Sequence, residues 1–270
     1  MRAAAVGLAL ALTLSCDEAP APRPQASSSA ASAALAPGAA LSAPTAPAGH
    51  VLPRGSSIAF SAAAQREQKP PLTGVAEERV KLARGEAKLW SPVGARVAQP
   101  VLAVLTTKAS AGACAIWSQL KGAPGFLLCP PPAESAELAA TGFKQAIAAL
   151  QARHPGYVAP RSTLVAYAEA ADGALLLMRE KPSLFPRGFL IGGGYGAFTT
   201  SAVHAFAVQG GERVVFACAG CDADRTVTAL LREGLSSRRV DQAEPGVEAL
   251  KTEWAWLRQG DPWWQAAAAP

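Results

Sequence analysis

Between residues 99 and 240 the chain alternates short apolar runs with segments whose apolar residues recur at helical spacing, and few folds accept that alternation. The runs are residues 99–105, 125–129, 163–167, 188–191 and 213–217, with residues 236–240 as a sixth strand. Their apolar residues are contiguous rather than alternating, as in strands covered on both faces. Pro130-Pro131-Pro132 stops the second run and Gly192-Gly193-Gly194 the fourth. Residues 78–83 and 87–90 read as an antiparallel lead-in. Phe143, Ala146, Ile147 and Leu150 share one face of a helix at about 135–152, and Val227, Leu230 and Leu231 do so at about 223–233. Val247, Leu250, Trp254 and Leu257 mark a last helix, with Pro245 near its start. Strands alternating with helices predict a three-layer α/β sandwich: a mostly parallel sheet, right-handed crossovers and helices on both faces.

The N-terminus reads as an export signal. Met1-Arg2 is positive, residues 3–14 are apolar and Ser15-Cys16 follows, a pattern too short for a membrane span. Leu12-Thr13-Leu14-Ser15-Cys16 resembles a bacterial lipobox. That resemblance implies that the Cys16 thiol carries diacylglycerol and that two or three acyl chains anchor the protein stably. An ordinary signal peptide cut nearby is the alternative. Residues 17–70 are mostly Ala, Pro and Ser, a composition that buries too little apolar surface to offset ordering. They read as a disordered tether with extended proline segments. The remaining stretch, 71–270, is long enough for one domain with a full core. A bacterial envelope lipoprotein facing the periplasm or the cell surface is the expected setting. Its partners would be the membrane, through the lipid, and an envelope protein or small ligand. The net charge of +5 is the difference between 25 basic and 20 acidic residues, which are scattered along the chain. Arg238-Arg239 and Arg225/Arg232 read as solvated faces, and nucleic acid is not an expected partner.

Beyond Cys16 there are four cysteines: Cys114, Cys129, Cys218 and Cys221. An even number in an exported chain suggests disulfides. Of three possible pairings, Cys114–Cys129 and Cys218–Cys221 are favoured, the first closing the loop between two predicted strands. The C-x-x-C of the second also fits redox or metal chemistry. A zinc site would want a second pair at similar spacing, which Cys114 and Cys129 do not offer. No metal and no cofactor are expected.

The order of elements resembles the α/β-hydrolases, in particular small secreted or lipid-anchored esterase-like members. The likeness covers about residues 75–264 and rests on several segments. Residues 101–105 stand where the family has a strand ending in His-Gly. Residues 125–130 are similar to the next strand, and residues 213–218 to the late strand before the acid loop. Residues 256–264 (Trp-Leu-Arg-Gln-Gly-Asp-Pro-Trp-Trp) are similar to a family ending. The resemblance places the nucleophile elbow, Gly-x-Ser-x-Gly on a sharp strand-to-helix turn, at Ala166-Tyr167-Ala168-Glu169-Ala170. There Ala168 puts a methyl group at the nucleophile position. Thr106-Thr107-Lys108 replace the His-Gly that lets a backbone N–H approach the oxyanion. Residues 241–249, where the base should follow, contain no histidine. Only an acid candidate remains, Asp222 or Asp224. The chemistry needs nucleophile, base, acid and oxyanion donors together. The joint loss therefore points to a pseudo-hydrolase, a catalytically inactive domain used for binding or assembly.

The competing expectation is an active serine esterase with displaced groups, in which Ser110, Ser183 or Ser201 reaches the cleft and His204 serves it. Glu169 reads as a helix-start carboxylate favoured by the helix dipole, and His154 and His204 as surface or packing residues. Gly192-Gly193-Gly194-Tyr195-Gly196 reads as a loose loop rather than a phosphate cradle. Trp254, Trp256, Trp263 and Trp264 read as packing.

Overall fold

A computed structural model of the chain describes residues 70–73, 77–122 and 124–268. The expected signal segment 1–16, the expected lipidation site Cys16 and the expected tether up to residue 69 lie outside the described residues.

The elements run in chain order as follows. The strands are β1 (Glu78–Lys81), β2 (Glu86–Trp90), β3 (Gln99–Leu105), β4 (Phe126–Cys129), β5 (Val158–Tyr167), β6 (Arg187–Ile191), β7 (Arg213–Ala217) and β8 (Ser236–Val240). The helices are α1 (Ala113–Leu120), α2 (Ala136–Arg153), α3 (Glu169–Glu180), α4 (Thr200–Val208), α5 (Ala223–Arg232), α6 (Val247–Arg258) and α7 (Pro262–Ala268). One eight-stranded sheet has the order β1-β2-β4-β3-β5-β6-β7-β8. The strands from β3 to β8 are parallel to their neighbours, while β1 and β2 join antiparallel at one edge. The three-layer α/β sandwich and its antiparallel lead-in are thus as the sequence predicts.

The contiguous apolar runs have a simple cause. All seven residues of β3 are buried, because both faces of the sheet are covered. Val101, Ala103 and Leu105 face the layer of α2, α3, α4 and α5. Leu102 and Val104 face α1, α6 and α7. Successive side chains of a strand point to opposite faces, so a run buried on both sides must be apolar throughout. Gly173 of α3 allows close helix packing: a Cβ there would lie 2.5 Å from the Ala136 carbonyl oxygen of α2.

Three helices and one pair of side chains depart from the sequence reading. Residues 199–201, which the sequence reading assigns to no helix, start one: the Thr199 hydroxyl caps α4 by accepting from the Ala202 N–H at 3.3 Å. The segment between β3 and β4 holds a helix, α1, so the Cys114–Cys129 disulfide fastens α1 to β4 rather than closing a bare loop. The end of the chain forms α7, with Asp261 Oδ1 accepting from the N–H groups of Trp263 and Trp264 at 2.9 and 3.3 Å. Arg238 and Arg239 are not solvated faces. Arg238 lies 4.0 Å over the Trp256 ring and pairs with Glu253, while Arg239 bonds Asp224 and Asp241. Trp254, Trp263 and Trp264 are buried, and the Trp256 ring meets the guanidinium groups of Arg213 and Arg238 at 4.9 and 4.0 Å, so all four tryptophans pack. Among the described residues no helix is long and apolar enough to cross a membrane.

Candidate functional site

The sheet turns its chain direction at β3, with β4 on one side and β5 on the other. In open α/β sheets the crevice outside the strand ends at such a point is where ligands bind. The chain leaves β5 there through Tyr167 and enters α3 at Glu169. The single residue between them, Ala168, has φ 50° and ψ −128°. It is the one non-glycine residue with positive φ among the described residues. An L-residue in this region is strained, at a cost of order 1–3 kcal/mol. The turn is held by hydrogen bonds: Ala168 N–H to Ile191 O at 2.7 Å, and Ala171 N–H to Ala168 O at 2.9 Å. This is the sharp strand-to-helix elbow that lifts a side chain above the sheet. Here it lifts a methyl group.

The rim of the elbow is the glycine run. A Cβ on Gly193 would lie 2.5 Å from the Ala168 carbonyl oxygen and 3.3 Å from the Ala171 Cβ. Gly192 and Gly194 take φ of +72° and +81°, and Gly194 N–H donates to Asp172 Oδ1 at 3.1 Å. The segment is therefore packed tightly on the elbow, not a loose loop. Its missing side chains are what permit the approach. Ala168, Glu169, Asp172 and residues 192–196 enclose a shallow depression of about 320 Å³. Glu169 is exposed in the first turn of α3, a place that favours a carboxylate whatever its function.

Two results follow from this geometry. Ala168→Gly should relieve the left-handed strain at the elbow, with a net gain of about 1 kcal/mol after glycine's extra chain entropy. Urea unfolding checks it, and a loss of stability would contradict the elbow conformation. Gly193→Ala should instead cost roughly 1–3 kcal/mol by overpacking, measured the same way.

Among the described residues the candidate acids, histidines and serines are held apart from one another. In the loop after β3, the Thr107 N–H donates to Ser110 Oγ at 2.9 Å. That N–H is thus engaged within the loop and is not free for an oxyanion. Asp222 is the exposed N-cap of α5, and its side chain makes no cap hydrogen bond. Asp224 is committed to Arg239 at 2.7 Å. Neither faces a histidine. His204 lies in α4, with Nδ1 2.9 Å from Glu233 at the C-terminal end of α5. His154 caps the end of α2, beside the Phe126 ring at 5.4 Å and 3.5 Å from Ser91 Oγ. Burial lowers its pKa, with Glu78 opposing and Arg153 reinforcing. Ser91–His154 is the one serine–histidine hydrogen bond among the described residues, and it sits at the opposite end of the sheet from Ala168. Ser110 bonds Thr107, Ser201 lies 3.2 Å from Thr199, and Ser183 is exposed in the turn before β6. None is served by His204.

Tyr167, beside the elbow, points to the opposite face of the sheet. Its hydroxyl accepts from Trp117 Nε1 at 2.8 Å, and burial pushes its pKa up to about 12, with the Trp117 bond opposing. It is a fixed neutral anchor for α1. Both favoured cysteine pairs are disulfides, Cys114–Cys129 and Cys218–Cys221. Among the described residues no group of three or more His, Cys, Asp or Glu is placed to hold a metal ion.

No protein-family model matches the chain, and no curated protein matches it. Solved structures of similar shape include a thermostable esterase at 17% identity and TM-score 0.45, with 73% of this chain and 60% of that one covered. The enterochelin esterase of Shigella flexneri stands at 16% and 0.49, with 72% and 60% covered. Carboxylesterase CesB of Bacillus subtilis stands at 9% and 0.42, with 70% and 93% covered. The chain thus spans 60% of the thermostable esterase and 42% of the acylaminoacyl peptidase of Pyrococcus horikoshii. No residue role is carried over from these proteins. The parallel sheet, its two antiparallel edge strands and the strained elbow after β5 together give this chain an α/β-hydrolase-like fold.

Proposed function

We propose that this chain is a lipid-anchored protein of the bacterial cell envelope whose α/β-hydrolase-like domain is catalytically inactive and serves in binding or assembly. The observation that supports it most is Ala168: the strained elbow is kept while its side chain has no nucleophilic atom. Among the described residues a hydroxyl there would have no histidine to take its proton, because His154 and His204 are engaged elsewhere. The depression beside the elbow, bordered by Glu169 and Asp172, is the place where a small ligand or a partner's side chain would enter. The lipobox-like sequence ending at Cys16 supports the anchor, and residues 17–70 would supply reach between membrane and domain.

Hydrolysis of short p-nitrophenyl esters tests the catalytic half. Wild type and Ala168→Ser should both stay at the buffer rate, because restoring the hydroxyl restores one of several parts. Turnover by wild type that a point mutation in the domain abolishes would overturn the proposal. Incorporation of a palmitate analogue, lost in Cys16→Ser, tests the anchor.

A further inference from the structure

The two disulfides differ in what they hold together. Cys114 and Cys129 are both buried, are 15 residues apart and fasten α1 to β4. Cys218 and Cys221 are three residues apart, within the turn from β7 to α5. Cys218 is buried but Cys221 is partly exposed, and Ala219 and Gly220 between them are exposed. The turn is also fastened without sulfur. Cys218 N–H donates to Val240 O at 3.1 Å, and the Gly220 N–H donates to the Asp241 carboxylate. Arg239 ties that carboxylate to Asp224 in the first turn of α5. A cross-link over so short a loop constrains the unfolded chain less than one over 15 residues. Opening it leaves the two cysteines on a fixed backbone, with Cα atoms 5.8 Å apart, ready to close again.

We propose that Cys218–Cys221 is a thiol-exchange site that can be reduced and reoxidised within the folded domain, whereas Cys114–Cys129 is structural. The co-reactant class is a thiol, and the steps balance as follows. A thiolate attacks the accessible sulfur of Cys221, forming a mixed disulfide. The Cys218–Cys221 bond breaks, and its electron pair leaves on Cys218, which takes up the proton lost by the attacking thiol. A second thiolate then attacks the sulfur of the first, releasing Cys221 as a thiol and an oxidised disulfide of the reductant. Two cysteines gain two electrons and the reductant loses two. The site borders the elbow: Ala217, next to Cys218, accepts from the Gly192 N–H of the glycine rim at 2.8 Å. Exchange would thus act on the edge of the depression, independently of whether that depression binds a ligand.

The test uses the full chain in glutathione, quenched with acid at intervals and alkylated, with each cysteine assigned by peptide mass so that Cys16 is counted separately. Reduction should occur at Cys218 and Cys221 at least about tenfold faster than at Cys114 and Cys129, as accessibility of the attacked sulfur dictates. A transient glutathione adduct should appear on Cys221, and the far-ultraviolet circular dichroism should not change. Equal rates at the two pairs, or reduction of Cys218–Cys221 only as the domain unfolds, would overturn the proposal. Cys221→Ser gives a second reading: Cys218 should then resist alkylation in the folded state, and rapid labelling would contradict the assignment of Cys221 as the accessible member.

Discussion

Arg187→Ala should destabilise the domain by about 3–5 kcal/mol, as expected when one partner of a buried charge cluster is removed. Arg187 opens β6 with its side chain 5% exposed. Its guanidinium bonds Glu212 Oε2, the carbonyl oxygens of Leu257 and Gln259, and lies 3.5 Å from Asp261. Arg161 joins from the β5 side through Glu212. One side chain thus holds the start of β6 to the junction of α6 and α7. Without it, Asp261 loses its cation in a site where it is 3% exposed. For a domain of this size the melting temperature should drop by roughly 10 °C.

The same cluster sets an acid limit. Burial pushes the Glu212 carboxyl up, but Arg187 and Arg161 beside it outweigh burial and hold its pKa below the usual range. The folded state therefore binds fewer protons at this group than the unfolded state. Its contribution is present above the unfolded pKa of about 4.3 and is lost as pH falls through the lower folded value. Urea unfolding between pH 3 and 6 should show a steeper acid loss in wild type than in Arg187→Ala. Equal slopes would mean that Arg187 does not control Glu212.

Trp117→Ala should cost a similar 3–5 kcal/mol, the range for removing a fully buried aromatic side chain. Trp117 has no exposed surface and meets the rings of Phe189 and Trp254 edge to face at 6.3 and 6.0 Å. It is also the donor to the Tyr167 hydroxyl, one residue before the elbow. Losing it leaves a cavity between α1, α6 and the sheet and removes a partner from a half-buried phenol. The Cys114–Cys129 bond still fastens α1, so the helix should stay attached while the packing fails. Trp117→Phe keeps much of the volume and should cost distinctly less. If the two variants were equally unstable, the indole hydrogen bond rather than the cavity would dominate.

The sheet was readable because strands buried on both faces must be apolar along their covered length, and residues 100–105 and 214–217 are. Helix α2 was readable because Phe143, Ala146 and Leu150 fall on one face and are all buried. Helix α4 was hidden because Thr199-Thr200-Ser201 has the composition of a turn. The same hydroxyl chemistry caps a helix, and the apolar stretch after Ser201 was the signal to weigh. Helix α7 had a usable mark, Asp261 followed by Pro262 at the first helical position. The strand-to-helix turn at Ala168 was legible, because a strand end followed by small residues is a local pattern. The tightness of the glycine rim was not, since Gly193 meets Ala168 across 25 residues of chain. The Arg187 cluster left no trace for the same reason: its acceptors lie as far on as Gln259, and no spacing in the sequence joins them. Of the candidate site, the absent serine and histidine could be read directly. The capture of the Thr107 N–H by Ser110 needed coordinates.

The central claim is that a strained elbow without a nucleophile is not rescued by any other serine. Reaction of the purified chain with a fluorophosphonate probe, followed by peptide mapping, tests it most directly. No labelled residue is the result this account predicts, for wild type and for Ala168→Ser alike. A single labelled serine in the wild-type domain would contradict it and would mark the true position of the catalytic centre.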